Sequence, residues 1–156
     1  MSMTALSMGN PVFVSYVIAA SIMILKLMGQ GWMTVFRMLK SDAGLLNPED
    51  LLAGPANRNP RPEQLQANDY VERSRRMHRN DLESIPAFLA AGLIFVAAGP
   101  SLAFANILMA VFVLSRLAHT VAYATGQRHE VRATFFTIGS VVVIIMTLYA
   151  LAVAIA

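Results

Sequence analysis

Residues 71–84, VERSRRMHRNDLES, carry seven charged side chains and a histidine, and the uncharged run IPAFLAAGLIFVAAG follows directly without a linker. At helical spacing the block sorts into faces. Arg76, Asn80 and Glu83 stand at steps of four and three. Glu72, four residues before Arg76, extends that face as a possible partner, and Arg79 with Glu83 makes a second i, i+4 pair. Arg116, His119, Thr120 and Tyr123 repeat the rhythm within SRLAHTVAY, as do Lys26, Gln30, Met33 and Arg37. Guanidinium, carboxylate, amide, imidazole and phenol gathered at one depth suit a small zwitterionic ligand that carries carboxylates. The competing use is structural: Arg116 neutralising Glu83, Lys26 neutralising Asp81, His119 packed in the core and Tyr123 anchored at an interface. His78 and His129 are expected at the surface, and Arg58, Arg61, Arg73 and Arg75 in solvent or against lipid headgroups.

Other chemistries are excluded or disfavoured by residue type. Cysteine is absent, so there is no disulfide framework, and any thiol chemistry must use a substrate's sulfur. A bis-histidine haem site would need a partner for His119 at similar depth. His78 is expected nearer the headgroups and His129 in a turn. No phosphate loop, zinc motif or serine triad is present, and no nucleic-acid partner or metal is expected.

These side chains need elements to hold them. The chain of 156 residues is 56% hydrophobic and 13% charged, against roughly one-quarter charged in an average soluble domain. That balance predicts an all-α integral membrane protein, a single domain built as an up-down four-helix bundle. Spans are expected at about 11–38, 70–98, 101–124 and 132–155, with a loop over 40–69. The first stretch lacks a basic start and is too long for a signal's apolar core. In the second, the apolar part 84–98 is too short to cross a bilayer. A span of about 20 residues must reach back to Arg79, which places Arg79, Asn80, Asp81 and Glu83 at the end of a membrane helix. Pro86 removes the bond to the carbonyl of Leu82 and is a candidate kink. In the loop, NPEDLL predicts a short helix capped by Asn47, RNPRPEQ an extended turn, and DYVE a capping box with Asp69 as cap. All Lys and Arg except Lys26 and Arg116 lie between Arg37 and Arg79 or between Arg128 and Arg132. The first and third connections therefore share a face, and the positive-inside rule makes it cytoplasmic.

NPED, VERSRRMHRNDLE and SRLAHTVAY resemble, in order and over nearly the whole chain, the signatures of the membrane-associated proteins in eicosanoid and glutathione metabolism. The glutathione transferase and prostaglandin E synthase branches look nearest. The resemblance implies a homotrimer that binds glutathione between neighbouring subunits near the cytoplasmic face. It implies that Arg79, Asn80 and Glu83 bind glutathione, with Asp81 in the same motif, and that His119 and Tyr123 line the site. Arg132, in EVRATFF, matches the arginine placed beside the glutathione sulfur, and Asp50 of NPED matches an acid that works with it. Arg76 and Arg116 would support the pocket, and Arg37 is the candidate for an arginine near the end of the first helix. The synthase branch has serine directly after the catalytic arginine and tyrosine four residues beyond it. Here these are Ala133 and Phe136, as in the transferase branch. The implied activity is a glutathione transferase or peroxidase acting on lipophilic electrophiles or lipid hydroperoxides drawn from membrane lipids. A prostaglandin E synthase-like isomerase, a non-catalytic lipid-binding scaffold and a purely structural bundle are the alternatives. A bacterial inner membrane and an endoplasmic reticulum are both open, with the site toward the cytoplasm.

Overall fold

The computed structural model describes residues 5–156. Four helices carry most of them: α1 Pro11–Ser41, α2 Asp69–Ala97, α3 Leu102–Ala124 and α4 His129–Ile155. There is no strand among the described residues. All four are long and apolar enough to cross a membrane. The shortest, α3 with 23 residues, covers about 35 Å against a hydrocarbon core of about 30 Å. The charged block lies inside α2, which continues without a break through Asp81, Glu83 and Pro86.

The chain divides into two compact units. One comprises residues up to Leu27 together with Asn80–Ala156, the other Met28–Arg79. In the first unit the inward positions follow helical stripes. Tyr16 and Met23 of α1, Ile85, Phe88 and Phe95 of α2, Leu108, Met109 and Phe112 of α3, and Val142 and Met146 of α4 are buried together. The rings of Phe88 and Phe112 stack at 3.9 Å between centroids. Outward positions are apolar as well: Ile18, Leu25, Leu114, Val121, Ile144 and Leu148 are all exposed. A helix apolar on every side suits lipid rather than water. Hydroxyls follow the same rule, because a medium without water leaves them only internal acceptors. Ser84, Thr120, Ser140 and Thr147 each donate to the carbonyl four residues back, at 2.8–3.0 Å.

The helix ends show where local chemistry differs from the expected pattern. α2 is capped by Asn68, not Asp69: the Asn68 side-chain oxygen accepts from the backbone N–H of Tyr70 and of Val71. Ser101 caps α3 by accepting from Phe104 N–H. The turn after α3 is closed by Gly126 at φ +70°, with Gln127 N–H bonded to the Ala122 carbonyl and Gly126 N–H to that of Tyr123.

The second unit contains the connection between α1 and α2. NPEDLL forms only a 3-10 turn, Pro48–Leu51, in which the Asn47 backbone carbonyl accepts from Asp50 N–H. RNPRPEQ is not simply extended; a second 3-10 turn spans Pro62–Leu65. Gln64 holds the connection together. Its amide donates to Asp42 Oδ1 at 2.5 Å and accepts from Asn57 at 2.8 Å and from Arg61 N–H at 3.0 Å.

Gly92 allows α2 to approach α1. A Cβ there would lie 2.6 Å from Cε2 and 2.8 Å from Cδ2 of Tyr16, whose hydroxyl donates to the Leu89 carbonyl at 2.8 Å. We predict that Gly92→Ala displaces that ring and lowers stability by about 1–3 kcal/mol in a detergent unfolding experiment. Gly29→Ala meets nothing within 4 Å and should be neutral or stabilising. Equal unfolding of the two variants would refute the packing role of Gly92.

Candidate functional site

The polar residues of the first unit continue the core stripes. Counting back along α2 from Phe88 and Ile85, the next inward position is Asp81. Along α3 from Phe112 come Arg116, His119 and Tyr123, and along α4 from Gly139 come Phe136 and Arg132. The faces that pack the apolar core thus also carry the ionisable groups inward.

Asp81 is the centre of an ion cluster. Lys26 Nζ lies 2.6 Å from Asp81 Oδ2, and Arg116 Nη2 lies 2.7 Å from Oδ1. The side chains of Asp81 and Arg116 are wholly buried. Lys26 therefore pairs with Asp81 as spacing allowed, but Arg116 pairs with Asp81 and not with Glu83. Asp81 and Glu83 are two residues apart, about 200° around a helix, so only one of them can face α3. Glu83 is exposed. Both carboxylate oxygens of Asp81 are engaged within the protein, so its contribution runs through the two cations it holds. The cluster keeps an excess positive charge, and Arg116 Nε and Nη1 have no hydrogen-bond partner. Gly139 is part of this arrangement: a Cβ there would meet Ser115 Oγ at 3.3 Å and Arg116 Cδ at 3.5 Å.

A second group adjoins it on α3. His119 Nδ1 is 3.3 Å from Arg116 Nη2, and its ring is tilted against that of Tyr123 at 4.9 Å between centroids. Asn80 Nδ2 donates to the Tyr123 hydroxyl at 3.2 Å. The guanidinium carbon of Arg132 lies over the Tyr123 ring, 4.6 Å from its centroid. Among the described residues Arg132 has no carboxylate partner, and its Nε is buried without an acceptor. Phe136, noted from sequence only as a departure, has a structural place. Its ring is 5.6 Å from the Arg116 guanidinium carbon and 6.3 Å from the His119 ring.

The remaining candidates lie in the second unit. Arg37 donates to the Tyr70 carbonyl at 3.0 Å and covers the Tyr70 ring at 4.4 Å. Glu72 pairs with Arg75, which also donates to the Gly44 carbonyl, so Arg75 is a loop tether and not a solvated charge. Arg76 and Arg79 are exposed on α2. His78, expected at the surface, is half-buried with Nδ1 lacking a partner. Asp50 Oδ2 accepts from Asn47 N–H at 3.1 Å, and Asp50 lines an open cavity of about 570 Å³ with Val35, Leu39, Leu52, Glu49 and Arg58 among its walls. Gln30, Thr34 and Ser74 form a buried hydrogen-bonded knot in this unit, with Gln30 donating to Ser74 Oγ at 2.8 Å. Only Gln30 of the three stood in a recognised stripe. Single hydroxyls such as Ser74 and Thr34 carry no distinguishing spacing.

The MAPEG family profile matches residues 16–152. The chain belongs to the MAPEG family. It is 36% identical to microsomal glutathione S-transferase 1 of Homo sapiens over 132 residues, 85% of this chain and 84% of that protein. The same protein of Rattus norvegicus matches equally. Prostaglandin E synthase of Homo sapiens is 31% identical over 134 residues, covering 86% and 84%. With its four spanning helices, this MAPEG member is a multi-pass integral membrane protein.

The ion cluster gives this MAPEG chain a testable dependence. We predict that Asp81→Ala, which leaves two buried cations unopposed, costs about 3–5 kcal/mol in detergent unfolding. Glu83→Ala, at an exposed position, should stay within about 0.5 kcal/mol of the parent. An Asp81→Ala protein as stable as the Glu83→Ala one would remove Asp81 from its central place.

Proposed function

We propose that the protein is a membrane glutathione transferase that stabilises the glutathione thiolate for attack on lipophilic electrophiles, and that the same thiolate reduces lipid hydroperoxides. The observation that carries this reading is Arg132. It stands in a polar group of a membrane helix bundle, with no acid within ion-pair distance among the described residues. A free thiol has a pKa of about 8.5, and only the thiolate is strongly nucleophilic. An adjacent guanidinium favours the charged form. The relatives named as glutathione S-transferases support the substrate class.

In this reading Arg79, Asn80, Glu83, His119 and Tyr123 hold glutathione, and Arg37 and Arg76 meet its carboxylates. Asp50 works with Arg132 in the chemical step, and Asp81 keeps Arg116 in place behind the site. Glutathione binds between subunits of a homotrimer on the cytoplasmic side, and the second substrate enters from the bilayer. A prostaglandin E synthase-like isomerase is the second reading, favoured by the synthase relatives. Ala133 and Phe136 weigh against it, because neither has the hydroxyl found at the matching positions of that branch.

The test is a glutathione titration of the detergent-purified protein, following thiolate absorbance in the ultraviolet, with Arg132→Ala in parallel. The parent should form thiolate near neutral pH. In the variant the thiolate signal should move to higher pH, and kcat/KM at neutral pH should fall about tenfold or more. Binding without thiolate in the parent would support a scaffold role, and absence of binding would leave a structural bundle.

A further inference from the structure

We infer that Tyr123 is a positioning residue for Arg132: its ring face orients the guanidinium, and Asn80 holds the ring. The inference rests on the reading of Arg132 as the group that stabilises the thiolate. Three observations carry it. The Arg132 guanidinium carbon is 4.6 Å from the Tyr123 ring centroid, well within cation–π range. Tyr123 is itself fixed: Asn80 donates to its hydroxyl at 3.2 Å, the His119 ring packs against it at 4.9 Å, and its carbonyl accepts from Gly126 N–H in the turn that ends α3. Arg132, in the first turn of α4, has no acid within ion-pair distance among the described residues, and its Nε has no acceptor.

The physical point is what a ring does that a carboxylate cannot. A carboxylate beside Arg132 would orient it but cancel the charge that a thiolate needs. The negative face of an aromatic ring attracts the cation and leaves its net charge intact. Arg116 is the contrast within the same unit. It is held by Asp81 at 2.7 Å and is wholly buried. Arg116 thus has an acid as well as the more distant ring of Phe136, whereas Arg132 has the ring of Tyr123 and no acid among the described residues. Asn80 then has a role beyond any contact of its own with a ligand, because it ties the platform to α2.

The test grades the ring face while keeping the ring's shape. Position 123 of the full-length protein is changed to Phe, then to mono-, di- and trifluorinated phenylalanine, each step withdrawing electron density from the face. The readout is the pH midpoint of thiolate absorbance for bound glutathione, with glutathione affinity measured beside it. Tyr123→Phe, which loses the bond from Asn80, is the reference from which the fluorinated series is read. Each fluorine should raise the midpoint, and the thiolate yield at fixed neutral pH should fall about fivefold across the series. Between the Phe reference and its fluorinated forms, affinity for the thiol form should change less than the midpoint. A residue that merely fills space would give a flat series. A flat series in a protein whose thiolate still depends on Arg132, as read with Arg132→Ala, overturns the inference and leaves the proposed function standing. A parent that forms no thiolate overturns both.

Discussion

The buried carboxylate of Asp81, shared between Lys26 and Arg116, is the constraint on which the first unit depends. An ion in an apolar bundle is costly unless it is paired and hydrogen-bonded. Here one acid meets two cations at 2.6 and 2.7 Å, from α1 and α3. Asp81 itself comes from α2, so a single side chain ties three helices together. α4 comes close to the same place at Gly139, where a Cβ would stand 3.3 Å from Ser115 Oγ and 3.5 Å from Arg116 Cδ. Its Phe136 then turns a ring toward the guanidinium. Stacked Phe88 and Phe112 lie further along the same faces, so packing and ion pairing act on one interface between α2 and α3.

The cluster is not neutral, and that is informative. Two cations and one acid leave a surplus positive charge in a medium that screens it weakly. Arg132 adds another cation in the same unit with no acid partner among the described residues. Glu83 would reduce the surplus but is exposed on α2. A bundle selected only for stability would be expected to pair these charges more completely. Unbalanced positive charge beside an amide, an imidazole and a phenol is what an anionic sulfur ligand with carboxylates would require.

Much of this was legible before any coordinates. Apolar runs of membrane length, and the rule that a span must reach about 20 residues, already placed Asn80 and Asp81 inside α2. Helical steps brought Arg116, His119 and Tyr123 onto one face, and the pairing of Lys26 with Asp81 stood as the competing structural reading. What spacing did not settle was which acid faces α3. Asp81 and Glu83 lie close in sequence but on opposed sides of the helix, so the choice depends on the rotation of α2, which packing of Ile85 and Phe88 decides. The cap of α2 was misassigned for a similar reason. Asn68 and Asp69 are both good caps, and only the backbone turn selects Asn68. The clasp at Gln64 and the knot at Ser74 rest on contacts across long sequence separations, which no local pattern encodes.

The fusion of a charged block to a membrane span therefore has a physical logic. Because α2 stays helical through the block, its backbone groups apart from the Leu82 carbonyl, whose donor Pro86 removes, are bonded internally, and the side chains must be accommodated. The helix then sorts them by rotation. Asp81 goes inward to the ion cluster, Asn80 reaches the Tyr123 hydroxyl, and Arg76, Arg79 and Glu83 stay exposed. Had the block been a loop, these groups would need water or a flexible backbone, and no fixed depth could be given to them. A rigid helix lets consecutive residues take different tasks: Asp81 pins one arginine by neutralising it, and Asn80, one position earlier, steadies the ring that holds another arginine while leaving it charged.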